Sequence, residues 1–493
     1  MVKREESESK KGNESIKEKE RGIASRKLAL EVLLRVDREG AYSNIALASA
    51  LEKCGLSKRD RAFTTLLVQG VIRNKGLLDS RIQPLSKKSL ESIPKVLLNI
   101  LRLGFFQLDF VEDLPPSAVL FTSTGLARKC GHEGLAKYTN AVLRSYLRQK
   151  ESGLTGTGTS GSNSGEDDDD AFDRMESITN PEELATRYSM PSWMVKRWIA
   201  NLGQDATRTL LEKASSKPDT FIRANTEVIS PEGLVSVLEN VGIKLIPSKY
   251  VNSVFKVVYN NKQRLEDLPA YQEGLFSIQD EAAALVSSVV SPQKEEIIID
   301  LCSAPGGKSL HMSELMENTG RIIAVDKYES RFGELKKNRR RLGLTNIEIK
   351  VEDGRKFRYE RAVDRVLVDA PCSGTGVMDR RSDIKHRRKP EDLVELPRLQ
   401  IELLNAAAEM VKPGGIVVYS TCSLEPEENL EVIEKFLEES EGQFELEPLA
   451  EFLPESIKTN KRLSVTAARG FITLHPGIDN LSGFFIARLK RLK

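Results

Sequence analysis

The sequence lacks any long hydrophobic run: across its 493 residues no stretch approaches the ~20 apolar residues of a membrane span. Its first residues, "MVKREESESKKGNESIKEKERG", mix both charge signs and have no apolar core. That pattern excludes a secretory signal, and its glutamates argue against an organellar transit peptide, so a cytoplasmic location without a membrane partner is expected. Cysteine is scarce. Cys54, Cys130, Cys302, Cys372 and Cys422 are odd in number, widely spread and without a C-x-x-C pair. Neither a disulfide framework nor a zinc site is suggested, no metal is expected, and a cysteine that matters here matters as a thiol. Two nucleotide signatures are also missing. "DLCSAPGGKS" (300–309) approaches a P-loop, but Cys302 stands where its first glycine belongs, and G-x-G-x-x-G does not occur. No internal repeat is present.

What is there is ordinary in bulk, with 40% hydrophobic and 30% charged residues, and uneven in detail. The net charge of +2 says little. "KKNRRRLG" (336–343) and "RRSDIKHRRK" (380–389) are basic clusters, whereas "GEDDDD" (165–170) is acidic. Most such runs are solvated faces, yet basic clusters beside a candidate site favour an anionic polymer.

The length predicts several folded units. Residues 1–22 read as a disordered tail. From 23 to 150 the apolar spacing is helical throughout, in "SRKLALEVLLRVDREG", "RDRAFTTLLVQGVIRNKGLLDSRI" and "PKVLLNILRLGFFQLDF", which predicts an all-α domain. Residues 151–170 read as a flexible Gly/Ser/Asp linker. Residues 171–270, with the short strands "FIRANT", "IKLIPSKY" and "VFKVVY", predict a small α+β domain. From 271 to 493 strands and helices alternate, which predicts a doubly wound α/β domain with its ligands at the carboxyl ends of parallel strands.

Those strand ends carry the chemistry. Asp300, Asp326 and Asp369 close strands, Asp353 follows another, and "GIVVYSTCS" runs into Cys422. A glycine turn lets a ligand approach the backbone at a helix N-terminus. Asp326, 26 residues beyond Asp300, suits ribose hydroxyls, and Asp353 suits an adenine amino group. The implied ligand has a ribose and a base and needs no pyrophosphate, which is the shape of S-adenosylmethionine. A single such Asp is as readily a cap or turn former; the ordered set on successive strands is harder to explain that way. Cys372 and Cys422 lie in loops of small and polar residues beyond two strands, on the same predicted sheet edge, where inert packing is hard to justify. Cys302, Cys54 and Cys130 read as packing.

"DLCSAPGGKS", "DAPCSGTG" and "YSTCSLEPEEN" closely resemble the motifs of the NOL1/NOP2/Sun group of RNA (cytosine-5)-methyltransferases, over about 171–493, and the helical region resembles an NusB-like RNA-binding domain. The resemblance implies an NusB-like all-α domain, a small α+β RNA-binding domain and a Rossmann-like methyltransferase domain using S-adenosylmethionine. It implies that Cys422 is the nucleophile and Cys372 assists product release. Cys302, Ser303, Ala304, Pro305, Gly306, Gly307, Lys308, Asp326, Asp353 and Asp369 are implied to line the cofactor site. Ser303, Ser309 and the Ser of "NLSGFF" depart from the residues usual in the family.

Carbon 5 of cytosine is a weak nucleophile, and a thiolate added to carbon 6 converts the ring to an enamine that attacks a sulfonium methyl. Asp369 is then expected at the ring's nitrogen edge and Cys372 at the release step, while Lys308 either orients the site or is merely a solvated helix-start lysine. An unstacked base is required, so a loop or an unfolded strand of RNA is expected; the resemblance implies 16S ribosomal RNA, free or incompletely assembled, with transfer RNA open as an alternative. Arg380, Arg381, Lys385, Arg387, Arg388 and Lys389 follow the Cys372 loop and are expected to hold phosphates. A monomer is expected. An RNA-binding assembly or antitermination factor is the rival without catalysis; an amino-group methyltransferase would need no thiol after the fourth strand.

Overall fold

The computed structural model describes residues 22–152, 179–259 and 263–493. By contacts the chain divides into two units, residues 1–211 with Lys385–Arg387, and residues 212–384 with 388–493. The tail and nearly all of the expected linker lie outside the described residues, and the division falls at Leu211. No helix among the described residues is long and apolar enough to cross a membrane.

The first unit is helical. Its centre is Lys95–Phe110, where every residue from Leu97 to Gln107 is buried. A helix apolar all round belongs in a core, and this one packs with residues 22–39, Lys58–Arg73, Pro116–Cys130 and Glu133–Glu151 in a single apolar cluster. The buried Arg102 on that helix forks onto Asp79 at 2.7 and 2.8 Å and reaches Asp37 at 3.2 Å, so its charge is paired. The long helical run expected over 59–82 is two helices, Lys58–Arg73 and Lys75–Ile82, separated by Asn74 outside helical geometry. Helices Pro181–Arg187 and Ser192–Leu202 also belong to this unit, although the sequence groups them with the strands that follow.

The second unit holds two sheets. β1 (Phe221–Ala224), β2 (Ile243–Pro247), β3 (Val254–Tyr259) and β4 (Phe276–Ile278) form an antiparallel sheet of order β2-β3-β1-β4. β4 lies beyond residue 270, so the small sheet runs further than the sequence reading placed it. The larger sheet contains β5 (Ile297–Asp300), β6 (Arg321–Asp326), β7 (Ile347–Val351), β8 (Val363–Asp369), β9 (Val411–Thr421), β10 (Phe444–Leu446), β11 (Phe471–Leu474) and β12 (Phe484–Arg491). Strands β7-β6-β5-β8-β9 are parallel in that order; β12 then pairs antiparallel with β9, and β10 and β11 pair antiparallel with β12. The antiparallel edge was not foreseen from sequence. The central strands are buried on both faces, as in Ile298, Ile299, Val366, Leu367, Val417 and Val418, all inaccessible. Chain order reverses between β5 and β8. That switch point opens a crevice at the carboxyl ends of the strands.

Candidate active site

The turn after β5 is built for close approach. Gly306 has φ +103° and a Cβ there would lie 2.5 Å from Leu335. Only glycine takes that backbone without strain, and it starts the helix Gly307–Leu315. Asp300 is buried; Ser309 donates to its Oδ2 at 2.5 Å, while Oδ1 has no partner among the described residues. Burial raises the Asp300 carboxyl to about 7. Ser303 donates its N–H to Val325 at 3.0 Å, and its hydroxyl is buried without a partner among the described residues. Burial, followed by the charges of Asp300, Asp369 and Asp326, pushes the Cys302 thiol well up, and the side chain packs against the core.

The other strand-end carboxylates are held by cations. Arg331 reaches both oxygens of Asp326, at 2.8 and 3.2 Å, and donates also to the carbonyl of Ala304 in the glycine turn at 3.0 Å. Arg355 forks onto Asp353 at 2.6 and 3.0 Å, and this bond holds the carboxyl down at about 2. Lys308 Nζ donates to Asp369 Oδ2 at 2.6 Å while Ser420 donates to Oδ1 at 2.8 Å. Lys308 is therefore anchored in the site, not solvated at the helix start. Burial opposes its charge, yet the Asp369 carboxylate wins and raises the ammonium above its ordinary value.

The two loop cysteines meet. β8 and β9 are adjacent, with Asp369 opposite Ser420, and Cys372 and Cys422 leave their ends with sulfurs 3.4 Å apart. They are not equivalent. The Cys372 S–H bond pulls the Cys422 thiol below its ordinary value against the effect of burial, helped by the positive charges of Arg381 and Lys308. The shared bond with Cys422, then burial, then the charges of Cys422, Glu428 and Asp369 push Cys372 well up. Both directions depend on the shared sulfur contact, in which either atom can be the donor.

Each part of this architecture is similar to a known family. Residues 287–490 match the family described as 16S rRNA methyltransferase RsmB/F, residues 23–148 match the NusB family, and residues 190–260 match the ferredoxin-like domain of RsmF/B-like methyltransferases. A probable ribosomal RNA small subunit methyltransferase B of Bacillus subtilis (strain 168) is 33% identical, covering 94% of this chain and 98% of its own length. The chain belongs to the ribosomal RNA small subunit methyltransferase B family. A second member, the probable methyltransferase B of Synechocystis, is 34% identical over 95% of this chain and 100% of its own. Among solved structures, that of PH0851 is similar with a TM-score of 0.76 and 26% identity, covering 96% of this chain and 98% of that one. A methyltransferase homolog protein from Pyrococcus horikoshii, 29% identical, matches with a TM-score of 0.55 over 63% of this chain and 99% of its own.

In this family member the structure also brings forward residues that motif reading passed over. Glu428, with no exposed surface, accepts from the Ser373 N–H at 2.8 Å, from Gln400 at 3.1 Å, and from the hydroxyls of Ser373 and Ser423. It lies inside the quoted "YSTCSLEPEEN", but nothing in the string distinguishes it from Glu425 or Glu427. Gly376 and Gly483 approach so closely that a Cβ on Gly376 would lie 2.2 Å from the Gly483 carbonyl oxygen, which gives the glycine of "NLSGFF" a packing reason.

The basic cluster behaves differently from the sequence expectation. Lys385 is buried and donates to the Tyr188 carbonyl at 3.1 Å, and Arg387 donates to the Ala41 carbonyl. Arg388 donates to the carbonyls of Ser373 at 2.7 Å and Cys372 at 2.9 Å. These three cations serve backbone acceptors within the fold, so the reading of all six as phosphate contacts is corrected. Arg380 is paired with Asp280 at 2.7 Å, whereas Arg381 and Lys389 are exposed.

Proposed function

We propose that the protein transfers a methyl group from S-adenosylmethionine to carbon 5 of a cytosine in 16S ribosomal RNA, with Cys422 as the nucleophile. The observation that carries this reading is the sulfur pair at 3.4 Å, two thiols brought together where the loops leave β8 and β9. An amino-group methyltransferase has no use for such a pair. The names of the curated relatives support ribosomal RNA of the small subunit as the substrate class.

The residues present fit the cofactor. Asp300 Oδ1 and the Ser303 hydroxyl are buried acceptors without partners among the described residues, beside a glycine turn that excludes a Cβ. Residues Cys302–Lys308 would line one side, Asp326 would take ribose hydroxyls and Asp353 the base, in competition with Arg331 and Arg355. When bound, S-adenosylmethionine supplies an electrophilic sulfonium methyl. The Cys422 thiolate adds to carbon 6 of the cytosine, which makes carbon 5 nucleophilic. Asp369, held between Lys308 and Ser420, faces the ring's nitrogen edge and accepts from it. A water oriented by Cys372 takes the carbon 5 proton, and the Cys422 sulfur then departs from carbon 6. Arg381 and Lys389, and Arg380 once free of Asp280, are the remaining cations suited to RNA phosphates.

The test is methylation of 16S ribosomal RNA and of transfer RNA with labelled S-adenosylmethionine, by wild type, Cys422→Ala and Cys372→Ala. Covalent protein–RNA adducts are resolved in parallel on denaturing gels. Loss of product and adduct in Cys422→Ala, with accumulation of adduct in Cys372→Ala, is expected. 5-Methylcytosine made by Cys422→Ala overturns the assignment, and preference for transfer RNA replaces the substrate.

A further inference from the structure

Each loop cysteine is followed directly by a serine, and both serines bond to the same buried carboxylate. Glu428 Oε1 takes the Ser373 N–H and Gln400; Oε2 takes the hydroxyls of Ser373 and Ser423, which are themselves 3.0 Å apart. Further bonds converge on the same place. Thr375 accepts the Leu424 N–H at 2.9 Å, and the Gly376 N–H donates to the Cys422 carbonyl at 2.9 Å. We propose that Glu428 is a positioning residue, whose carboxylate ties the residue after Cys372 to the residue after Cys422 and so holds the two sulfurs in register. The proposal rests on the reading of Cys422 as the nucleophile.

A carboxylate suits this place because four donors converge on it and it offers only acceptors. A glutamine has the same shape and can still be accommodated, since the two hydroxyls are able to accept from its amide. What it lacks is the charge. That charge lies on the Cys372 side of the pair and favours the protonated thiol there, whereas Arg381 and Lys308 favour the thiolate at Cys422. Asp369 raises both cysteines and so does not discriminate between them. Burial raises the carboxyl of Glu428 itself, and the bonds from Ser373, Ser423 and Gln400 resist that shift. Glu428 therefore links geometry with the choice of which sulfur attacks.

The experiment uses the full chain as wild type, E428Q and S423A. Iodoacetamide labelling of Cys372 and Cys422 is followed by peptide mass spectrometry across pH, without RNA, alongside the melting temperature and the kcat and KM for methyl transfer. E428Q is expected to move label from Cys422 towards Cys372 and to raise the pH at which Cys422 reacts. Its kcat is expected to fall by up to about a hundredfold, the scale of a misplaced reacting group, with KM unchanged. S423A removes one arm of the tie and shows the same redistribution to a smaller degree; it serves if E428Q does not fold. Wild-type labelling profiles and kcat in folded E428Q, or in S423A where E428Q is unfolded, overturn the proposal. Failure of the underlying reading looks different, because Cys422→Ala then continues to methylate whatever the labelling shows.

Discussion

The sulfur of Cys372 lies 3.4 Å from the sulfur of Cys422, although 50 residues separate them in the chain. An adjacent parallel pair of strands, β8 and β9, makes that contact, and the consequences can be measured.

The first concerns oxidation. Hydrogen peroxide takes the Cys422 thiolate to a sulfenic acid with loss of hydroxide, and the Cys372 thiol then displaces water to form a disulfide. The oxidised protein is expected to lose two hydrogens by intact mass and to lose methyl transfer, both restored by dithiothreitol. A sulfinic acid on Cys422 with Cys372 still free would show that the thiols do not meet in solution.

Lys308 donates to Asp369, and its charge is among those that lower the Cys422 thiol. Lys308→Met is expected to raise the apparent pKa of Cys422, so activity falls at neutral pH and recovers as pH rises. Each unit of increase lowers the reactive fraction about tenfold below the pKa. A pH–rate profile identical to wild type would remove Lys308 from this role.

Arg388 holds the carbonyls of Cys372 and Ser373 with two nitrogens of one planar group. Arg388→Ala is expected to lower kcat while leaving S-adenosylmethionine affinity intact by calorimetry. Arg388→Lys is expected to recover only part of kcat, because a single ammonium cannot fork across two acceptors. Lost cofactor affinity with unchanged kcat would place Arg388 elsewhere in the function.

Gly376 faces the Gly483 carbonyl with no room for a methyl group. Gly376→Ala is expected to destabilise the second unit by about 1–3 kcal/mol, the usual cost of forced overpacking, read by urea unfolding. Wild-type stability would mean that the two loops give way freely.

His311 is buried, and burial with the nearby Arg223 charge lowers its pKa well below the ordinary value. Below about pH 6.5 the unfolded chain takes up a proton that the folded chain refuses. Its contribution is therefore full above that pH and is lost as pH falls, at up to about 1.4 kcal/mol per pH unit. The stability gap between wild type and His311→Gln should narrow on acidification below pH 6.5. A gap independent of pH would show that the imidazole is solvated.

Much of this was legible locally. The alternation of strands and helices after Ile297, the aspartates closing β5, β6 and β8, and the cysteine loops all depend on neighbours in sequence, through periodicity and turn chemistry. The break at Asn74 was missed because apolar spacing continues across it. The antiparallel strands β10 to β12 were missed because β10 and β11 are only three and four residues long, and their pairing with β12 is a long-range property. The basic run 380–389 misled for a similar reason: composition registers charge but not which carbonyl each cation faces.

Local pattern along the chain carries the parts: a helical domain, a parallel α/β domain, a glycine turn without phosphate signatures, and two thiols in polar loops. Only the folded arrangement brings the two sulfurs together and sets different charges around each. Cys372 and Cys422 are each preceded and followed by small residues, and no local feature ranks them. The ranking comes from charges brought together over long range, with Glu428 on the Cys372 side and Arg381 and Lys308 acting on Cys422. Electrostatic interaction depends on distance in space and on burial, and both are set only when β8 and β9 lie side by side.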